Sequence, residues 1–250
     1  MIDYDSFEEF YDPVTYDLEC DDFDADFPVI EQWAQSLGSP LLDLACGTGR
    51  MSIHMARHGY EVTGVDIIPN MIDHAKSKAV KSNVSIDFVV ADARNFHLNK
   101  QFPFIFMIMN AFQFLHTRED HEAMLACVRE HLQSKGYFLF ETRNPTSRNL
   151  LEVRNPDGEN YTLPDGEKLA ITQQQHYDPM TQIQHYTRYL KFSNGTERIN
   201  RTALRYVYPQ EMEALLHYNG FQIHTSYGNW EQDPLTATSP AMIYVCQKRK

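Results

Sequence analysis

The sequence predicts an α/β protein: a doubly wound, mostly parallel sheet of seven strands, with an N-terminal helical cap and an antiparallel β insertion. Three observations carry this prediction. From Leu41 to Thr142 short apolar runs alternate with amphipathic helical stretches, as a sheet covered by helices requires. The rhythm fails over residues 146–207, where polar, β-rich runs surround Asn194-Gly195, a hairpin signal. It resumes from Pro209 to Cys246 with one helix and two strands. The expected organisation is a cap over residues 1–38, a binding core over 39–145, the insertion over 146–207, and the end of the core over 208–250.

Phe7, Phe10 and Tyr11 recur at helical spacing, and Val29, Ile30, Trp33 and Leu37 do so again. Between them DLECDDFDAD, Asp17 to Asp26, reads as a solvated acidic turn, with attraction of a cationic substrate as its functional alternative. Leu41 to Ala45 is a short buried strand, and Arg50 to His58 a helix closed by Gly59, a natural left-handed cap. Tyr60 to Asp66 is the second strand. Pro69 opens a helix to about Lys78, because its fixed φ suits a first turn. Val84, Ile86, Phe88 and Val90 alternate as a third strand, and Phe104 to Met109 is the nearly continuous apolar run of a strand covered on both faces. Thr117 and Asp120 resemble a capping box at the start of a helix to about Leu132, and Gly136 leads into a fifth strand, YFLFET. PDG occurs at Pro156 and Pro164, and Asn194-Gly195 predicts a two-residue hairpin turn. Pro209 to Tyr218 is an amphipathic helix ended by Gly220; Phe221 to Tyr227 and Met242 to Cys246 are the last strands.

Composition narrows the function. Of 250 residues 42% are hydrophobic, enough for a real core. The net charge of −12 argues against a nucleic-acid partner, tRNA included, which needs clustered Lys and Arg; Lys248 to Lys250 is too short a basic end to alter this. A neutral or cationic small molecule is the expected partner. No apolar run approaches the ~20 residues that cross a bilayer, and the start MIDYDSFEEFYD is the opposite of a basic secretory leader. No membrane partner and a cytoplasmic location are therefore expected. Cys20, Cys46, Cys127 and Cys246 show neither metal spacing nor a disulfide framework.

The stretch LLDLACGTGR, Leu41 to Arg50, carries the chemistry. Gly47 and Gly49 follow a strand and precede a helix, where the backbone turns sharply and approaches a ligand. Asp66 ends the second strand about 20 residues on, placed to accept from ribose hydroxyls. Nicotinamide and adenosyl cofactors share both features. Asp43 separates them: a carboxylate there repels a pyrophosphate but favours a sulfonium and an ammonium. Ser52 also stands where a dinucleotide loop has its third glycine. Asp92, in VVADA, ends the third strand and can accept from an adenine amino group; Met109-Asn110-Ala111-Phe112 end the fourth, where a reactive methyl would sit.

LLDLACGTGR, GVDIIPNMIDHAK, ADAR and MNAFQFL together resemble the class I S-adenosylmethionine-dependent methyltransferases, in the small-molecule branch that includes sugar-amine N-methyltransferases. The resemblance spans residues 40–145, and implies a Rossmann-like methyltransferase fold, S-adenosyl-L-methionine as donor and S-adenosyl-L-homocysteine as product. It implies that Asp43 serves the donor's ammonium, and that Ala45, Cys46, Gly47 and Gly49 line the loop against methionine and ribose. Asp66 and Ile67 would hold the ribose and one adenine face, with Met71 packing nearby, Asp92 and Ala93 the adenine edge, and Met109 the methionine end. Relatives carry FDLI early in the fourth strand, where this chain has Phe102-Pro103-Phe104-Ile105, which puts the local strand geometry in question.

Methyl transfer from a sulfonium needs alignment more than acid–base help, and a base matters only if the acceptor must first lose a proton. The candidates at the reacting end are Tyr11, Asn110 and His116, with Tyr16 on the donor side. Each has a plainer alternative: core filling for the tyrosines, a solvated helix entry for His116. Cys46 reads as a small buried side chain, not a nucleophile. His54 and His58 share a helix face, but no third ligand is evident and no metal is expected. Arg143 either clamps an acceptor carboxylate or phosphate or pairs with Glu141 or the acidic cap. The insertion, with Tyr186, Arg188, Arg201, Arg205 and Tyr206, either walls the pocket or mediates a homodimer. The expected activity is methyl transfer to N or O of a small molecule, with an amine favoured. A donor-binding protein without catalysis, and a nicotinamide-dependent oxidoreductase that Asp43 and Ser52 oppose, are the alternatives.

Overall fold

A computed structural model describes residues 4–146, 150 and 154–249, and for residues 154–157 the backbone alone. The first three residues of the acidic start, residues 147–149 and 151–153 at the head of the insertion, and the last residue of the basic end lie outside the described residues.

After a 3-10 turn at Glu8–Tyr11 come α1 (Pro13–Cys20) and α2 (Phe27–Leu37), both with proline in the first turn. The core then runs β1 (Leu41–Leu44), α3 (Arg50–Arg57), β2 (Val62–Asp66), α4 (Pro69–Lys81), β3 (Asp87–Val90), β4 (Phe102–Met107), α5 (Arg118–His131) and β5 (Leu132–Arg143). Strands β6 (Arg154–Thr162), β7 (Lys168–Asp178), β8 (Ile183–Phe192) and β9 (Glu197–Arg205) follow, then α6 (Pro209–Tyr218), β10 (Phe221–Tyr227) and β11 (Ala241–Lys248).

The main sheet has the order β10-β11-β5-β4-β1-β2-β3, parallel except where β11 runs antiparallel to both its neighbours. This is the doubly wound seven-stranded sheet expected from the alternation of apolar runs and helices. Each central strand feeds two cores because successive side chains point to opposite faces. Leu42 and Leu44 join the core under α5 and α6, whereas Leu41 joins the one under α2 and α3. The same split places Ile105 and Met107 on the first side and Phe104 and Phe106 on the second. Pro103 leaves its mark as a register shift between Phe102 and Phe104 in the pairing with β5: it has no N–H for the ladder.

Strands β6 to β9 form a separate antiparallel sheet in sequential order. The first PDG lies inside β6, where the pairing with β7 shifts between Asn155 and Glu159. The second PDG makes the hairpin turn from β6 to β7, closed by the Leu163 N–H donating to the Glu167 carbonyl at 2.8 Å. The Asn194-Gly195 hairpin differs from the two-residue expectation. Phe192 N–H donates to the Thr196 carbonyl at 2.9 Å, so Ser193, Asn194 and Gly195 form a three-residue loop with Gly195 at φ 91.

The acidic run is mostly not solvated. Asp17 accepts from Thr48 Oγ1 at 2.5 Å, His74 Nε2 at 2.9 Å and Lys78 Nζ at 2.9 Å. Asp21 also takes Lys78, at 2.6 Å, and fully buried Asp26 pairs with Arg50. Only Asp22 and Asp24 are exposed without an ion pair among the described residues. These carboxylates latch the cap onto α3 and α4.

Candidate active site

The winding direction reverses between β1 and β4, and two cavities open at the carboxyl ends of these strands, the switch point where open α/β sheets bind ligands. The first, of about 180 Å³, is bounded by the β1–α3 loop, the end of β2, the residues after β3 and the end of β4. The second, of about 560 Å³, lies between the cap, the β4 and β5 ends and the second sheet. Phe10, Tyr16, Met109 and Phe114 line both, so the cavities share a wall.

After β1 the chain turns through Ala45 at φ 62 and Gly47 at φ 54. At Gly47 a side chain would be strained by the left-handed backbone and would project toward Tyr16 Oη and the Met71 methyl. Gly49 serves packing: a Cβ there would stand 3.0 Å from Phe88 and 3.2 Å from Ala75, and the residue does not line either cavity. Cys46 is likewise buried beside the loop, outside both large cavities. Asp66 fixes the loop, its Oδ2 accepting from Gly47 N–H and its Oδ1 from Ile68 N–H, both at 2.8 Å. Burial raises its pKa, and the backbone donors work against that rise. Each carboxylate oxygen keeps a further acceptor site for a ligand.

Asp43 sits behind the loop, 1% exposed, and accepts from Ser52 Oγ at 2.6 Å. The serine that replaces a dinucleotide loop's third glycine is thus the partner of the acid that disfavours a pyrophosphate. Burial pushes the Asp43 carboxyl up to about 7, opposed by Ser52 and Arg50. Ala45, Gly47, Asp66, Ile67, Met71, Asp92, Ala93, Met109, Tyr16 and His116 all line the first cavity. Asp92 is engaged by Arg94, whose Nη2 donates to Oδ2 at 2.6 Å, while Arg94 Nη1 donates to Asp120 at 2.7 Å. Burial would raise the Asp92 pKa, but the Arg94 contacts outweigh it and hold the carboxyl below its usual value. The Asp92–Arg94–Asp120 clamp was not evident from the sequence, since Asp120 reads there only as a cap. It is that too: the Thr117 capping box is complete.

At the shared wall Met109 and Asn110 are consecutive left-handed residues, φ 55 and 59, conformations that non-glycine residues hold only under constraint. The constraint is Glu141 on β5, a buried carboxylate that takes the backbone N–H groups of Asn110 and Met109 and accepts from Trp230 Nε1 at 3.1 Å. Asn110 lines the second cavity, and its buried Oδ1 has no hydrogen-bond partner among the described residues. His116 lines only the first, with its Nε2 at 2.7 Å from the Ala203 carbonyl. Burial lowers its pKa, and since a carbonyl oxygen can only accept, Nε2 is the donor. Tyr11 is separate from both cavities: it is half exposed and its hydroxyl donates to Asp5 at 2.6 Å. His54 and His58 lie elsewhere too, where Glu31 comes between them; Oε1 is 2.5 Å from His54 Nε2 and 3.8 Å from His58 Nε2, a third member that helical spacing alone could not reveal.

A family model described as a methyltransferase domain matches residues 41–136, the stretch that builds the first cavity. The Bacillus subtilis (strain 168) protein YqeM, named as a methyltransferase, is 28% identical over 231 residues, covering 88% of this chain and 91% of its own. Among solved structures, the CcbJ methyltransferase from Streptomyces caelestis superposes with a TM-score of 0.83 at 21% identity over 99% of this chain and all of its own. The sugar N-methyltransferase KedS8 from Streptoalloteichus sp. gives 0.76 at 16% identity over 100% and 97%. The motif-bearing residues 41–136 are thus matched by the family model, and the cap and second sheet are shared in fold. Residues 41–136 match a methyltransferase domain, and the chain as a whole has the fold of S-adenosylmethionine-dependent methyltransferases.

Proposed function

We propose that the protein binds S-adenosylmethionine in the first cavity and transfers its methyl group to the nitrogen of a small-molecule acceptor in the second. The observation that carries this reading is the wall of Phe10, Tyr16, Met109 and Phe114 that the two cavities share, with Asn110 next to Met109 on the second cavity's side and its Oδ1 unpartnered among the described residues. The first cavity suits the donor chemically. Asp66 offers acceptors for ribose hydroxyls, Ile67 and Met71 offer apolar faces for a purine, and the acids there, with Asp43 behind, favour a cation. A pyrophosphate would meet those same acids.

When bound, S-adenosylmethionine supplies a methyl carbon on a sulfonium that leaves as neutral S-adenosylhomocysteine. The task of this chain is to align and to exclude water. Glu141 holds the Met109–Asn110 backbone so that this wall cannot relax. Asn110 Oδ1 accepts an N–H of the incoming amine, which turns the nitrogen lone pair toward Met109. Phe10, Tyr16 and Phe114 cover the junction as an aromatic lid; Phe10 packs edge-on against Tyr16 and Phe114 at 5.7 and 5.1 Å. An amine attacks with its own lone pair, so no general base is required. His116, tied to Ala203 and confined to the first cavity, serves the adenine end. The fold shared with KedS8, a sugar N-methyltransferase, supports a nitrogen acceptor. The test is a panel of amines and hydroxyl compounds incubated with methyl-labelled donor, with products located by mass spectrometry. Label on nitrogen is the expected result; transfer to oxygen alone would overturn the amine assignment.

A further inference from the structure

The second cavity contains a guanidinium with no carboxylate at ion-pair distance among the described residues. Arg143, at the end of β5, is mostly buried and lines this cavity. Its hydrogen-bond partners there are neutral phenols, Tyr186 Oη at 3.3 Å and Tyr206. The acids around it are engaged elsewhere: Glu159 accepts from the Tyr161 hydroxyl, and Glu9, whose charge reaches Arg143, is held by Arg188. Glu141 accepts from Trp230 and the Met109–Asn110 backbone. The cap acids Glu9 and Glu19 bind Arg188, at 3.3 and 2.6 Å. Asp12 pairs with Arg198 and Glu8 with Arg201, at 3.4 and 3.9 Å. Among the described residues, no carboxylate lies within ion-pair distance of Arg143, while Arg188 has two and Arg198, Arg201 and Arg205 have one each. An unpaired buried charge is costly, and it persists where a ligand completes it.

We propose that Arg143 is the carboxylate-binding residue of the acceptor subsite, so that the acceptor is an amine that also carries a carboxylate, of amino-acid type. This rests on the reading of the second cavity as the acceptor site. The guanidinium fork matches the two oxygens of a carboxylate. A single fork flanked by neutral Tyr186 and Tyr206 suits a monoanion, whereas a phosphate dianion would face Glu9, Glu19 and Glu159 on the walls of the same cavity. Asn110 and Arg143 then bind the two ends of one molecule: nitrogen at the shared wall, carboxylate at the β5 end. The aromatic and apolar surface of Phe10, Phe114 and Leu204 between them accommodates the body of the acceptor.

The experiment is calorimetric titration of the full chain, saturated with S-adenosylhomocysteine, with benzoate, benzamide and phenyl phosphate. Benzoate is expected to bind at least tenfold more tightly than benzamide and more tightly than phenyl phosphate. Arg143→Met should weaken benzoate at least tenfold and leave S-adenosylhomocysteine within twofold of wild type. Equal affinities for benzoate and benzamide would overturn the proposal, as would unchanged benzoate binding by Arg143→Met. Tighter phenyl phosphate would replace the carboxylate with a phosphate and overturn the stated class. Should Arg143→Met not fold, Arg143→Lys keeps the charge without the fork, and undiminished benzoate binding there would overturn bidentate recognition. Failure of S-adenosylhomocysteine to bind wild type would overturn the donor reading instead, and the benzoate–benzamide pair titrated without it would still decide the role of Arg143.

Discussion

Asp43 is a carboxylate in the middle of a fully buried strand, and its consequences can be measured one residue at a time. Its pKa rises from 3.8 to about 7, chiefly because burial disfavours the charged form. The folded chain therefore holds this proton more tightly than the unfolded chain does. The resulting stabilisation is complete below 3.8 and is lost as pH rises through about 7. Asp43→Asn should raise the melting temperature of the ligand-free protein by about 5 °C at pH 8, with the gain shrinking toward pH 5; an equal gain at both would show that Asp43 does not titrate in this window. Asp66→Ala should weaken S-adenosylmethionine at least about tenfold in a folded protein, through lost acceptors and a loosened Gly47 amide. Unchanged affinity would remove the ribose contact. His116→Gln retains a donor for the Ala203 carbonyl and should keep most of the turnover; a loss of about a hundredfold or more would restore a general base. At this scale the sequence was informative wherever residue type and position within the loop dictate chemistry, as with Asp43, Gly47 and Asp66. It could not disclose Asn110 Oδ1, Glu141 or the Arg94 clamp, whose roles depend on tertiary neighbours, up to 89 positions away for Trp230 and Glu141. The helical spacing that made Tyr11 a candidate says nothing of which face of a four-residue turn meets the cavity, and Tyr11 points to Asp5.

Helix α1 contributes Tyr16 to both cavities and is tied to α4 through Asp17, which contacts His74 and Lys78. An Asp17→Asn change removes the charge from both contacts. Amide exchange over residues 8–20 should then accelerate while that of β1, β4 and β5 stays the same, and donor affinity should fall several-fold because the lid above Gly47 is loosened. Equal acceleration throughout the chain would mean global destabilisation and would contradict a local tie between α1 and α4. Strands and helices of the core were legible because period and punctuation coincide: buried runs of two-faced strands, prolines at first turns, and a capping box at Thr117. The acidic run reads as solvated in sequence because its partners are His74, Lys78, Arg50 and Arg188, residues far off along the chain. The three-residue hairpin loop reflects pairing between Phe192 and Thr196, a register that the Asn-Gly pair does not specify.

At the scale of the whole molecule, the seven-stranded sheet sets the first cavity at the β1–β4 reversal, and the cap and the second sheet enclose a second space beside it. The sheet's order follows from connection rules that any α/β sequence of this pattern obeys. How β6 to β9 fold back over the site does not, because long-range placement of a polar antiparallel sheet leaves no periodic signature. The acids of the cap that face α4 and the second sheet are paired with Lys78 and Arg188, so the net charge of −12 does not by itself argue for a cationic acceptor. On the function proposed above, the first cavity is an adenosyl-sulfonium site and not a dinucleotide site. Parallel calorimetric titration of the full chain with S-adenosylmethionine, S-adenosylhomocysteine and NAD tests this most directly. Micromolar binding of both adenosyl ligands with no heat from NAD is the predicted result; binding of NAD without either adenosyl ligand would contradict it.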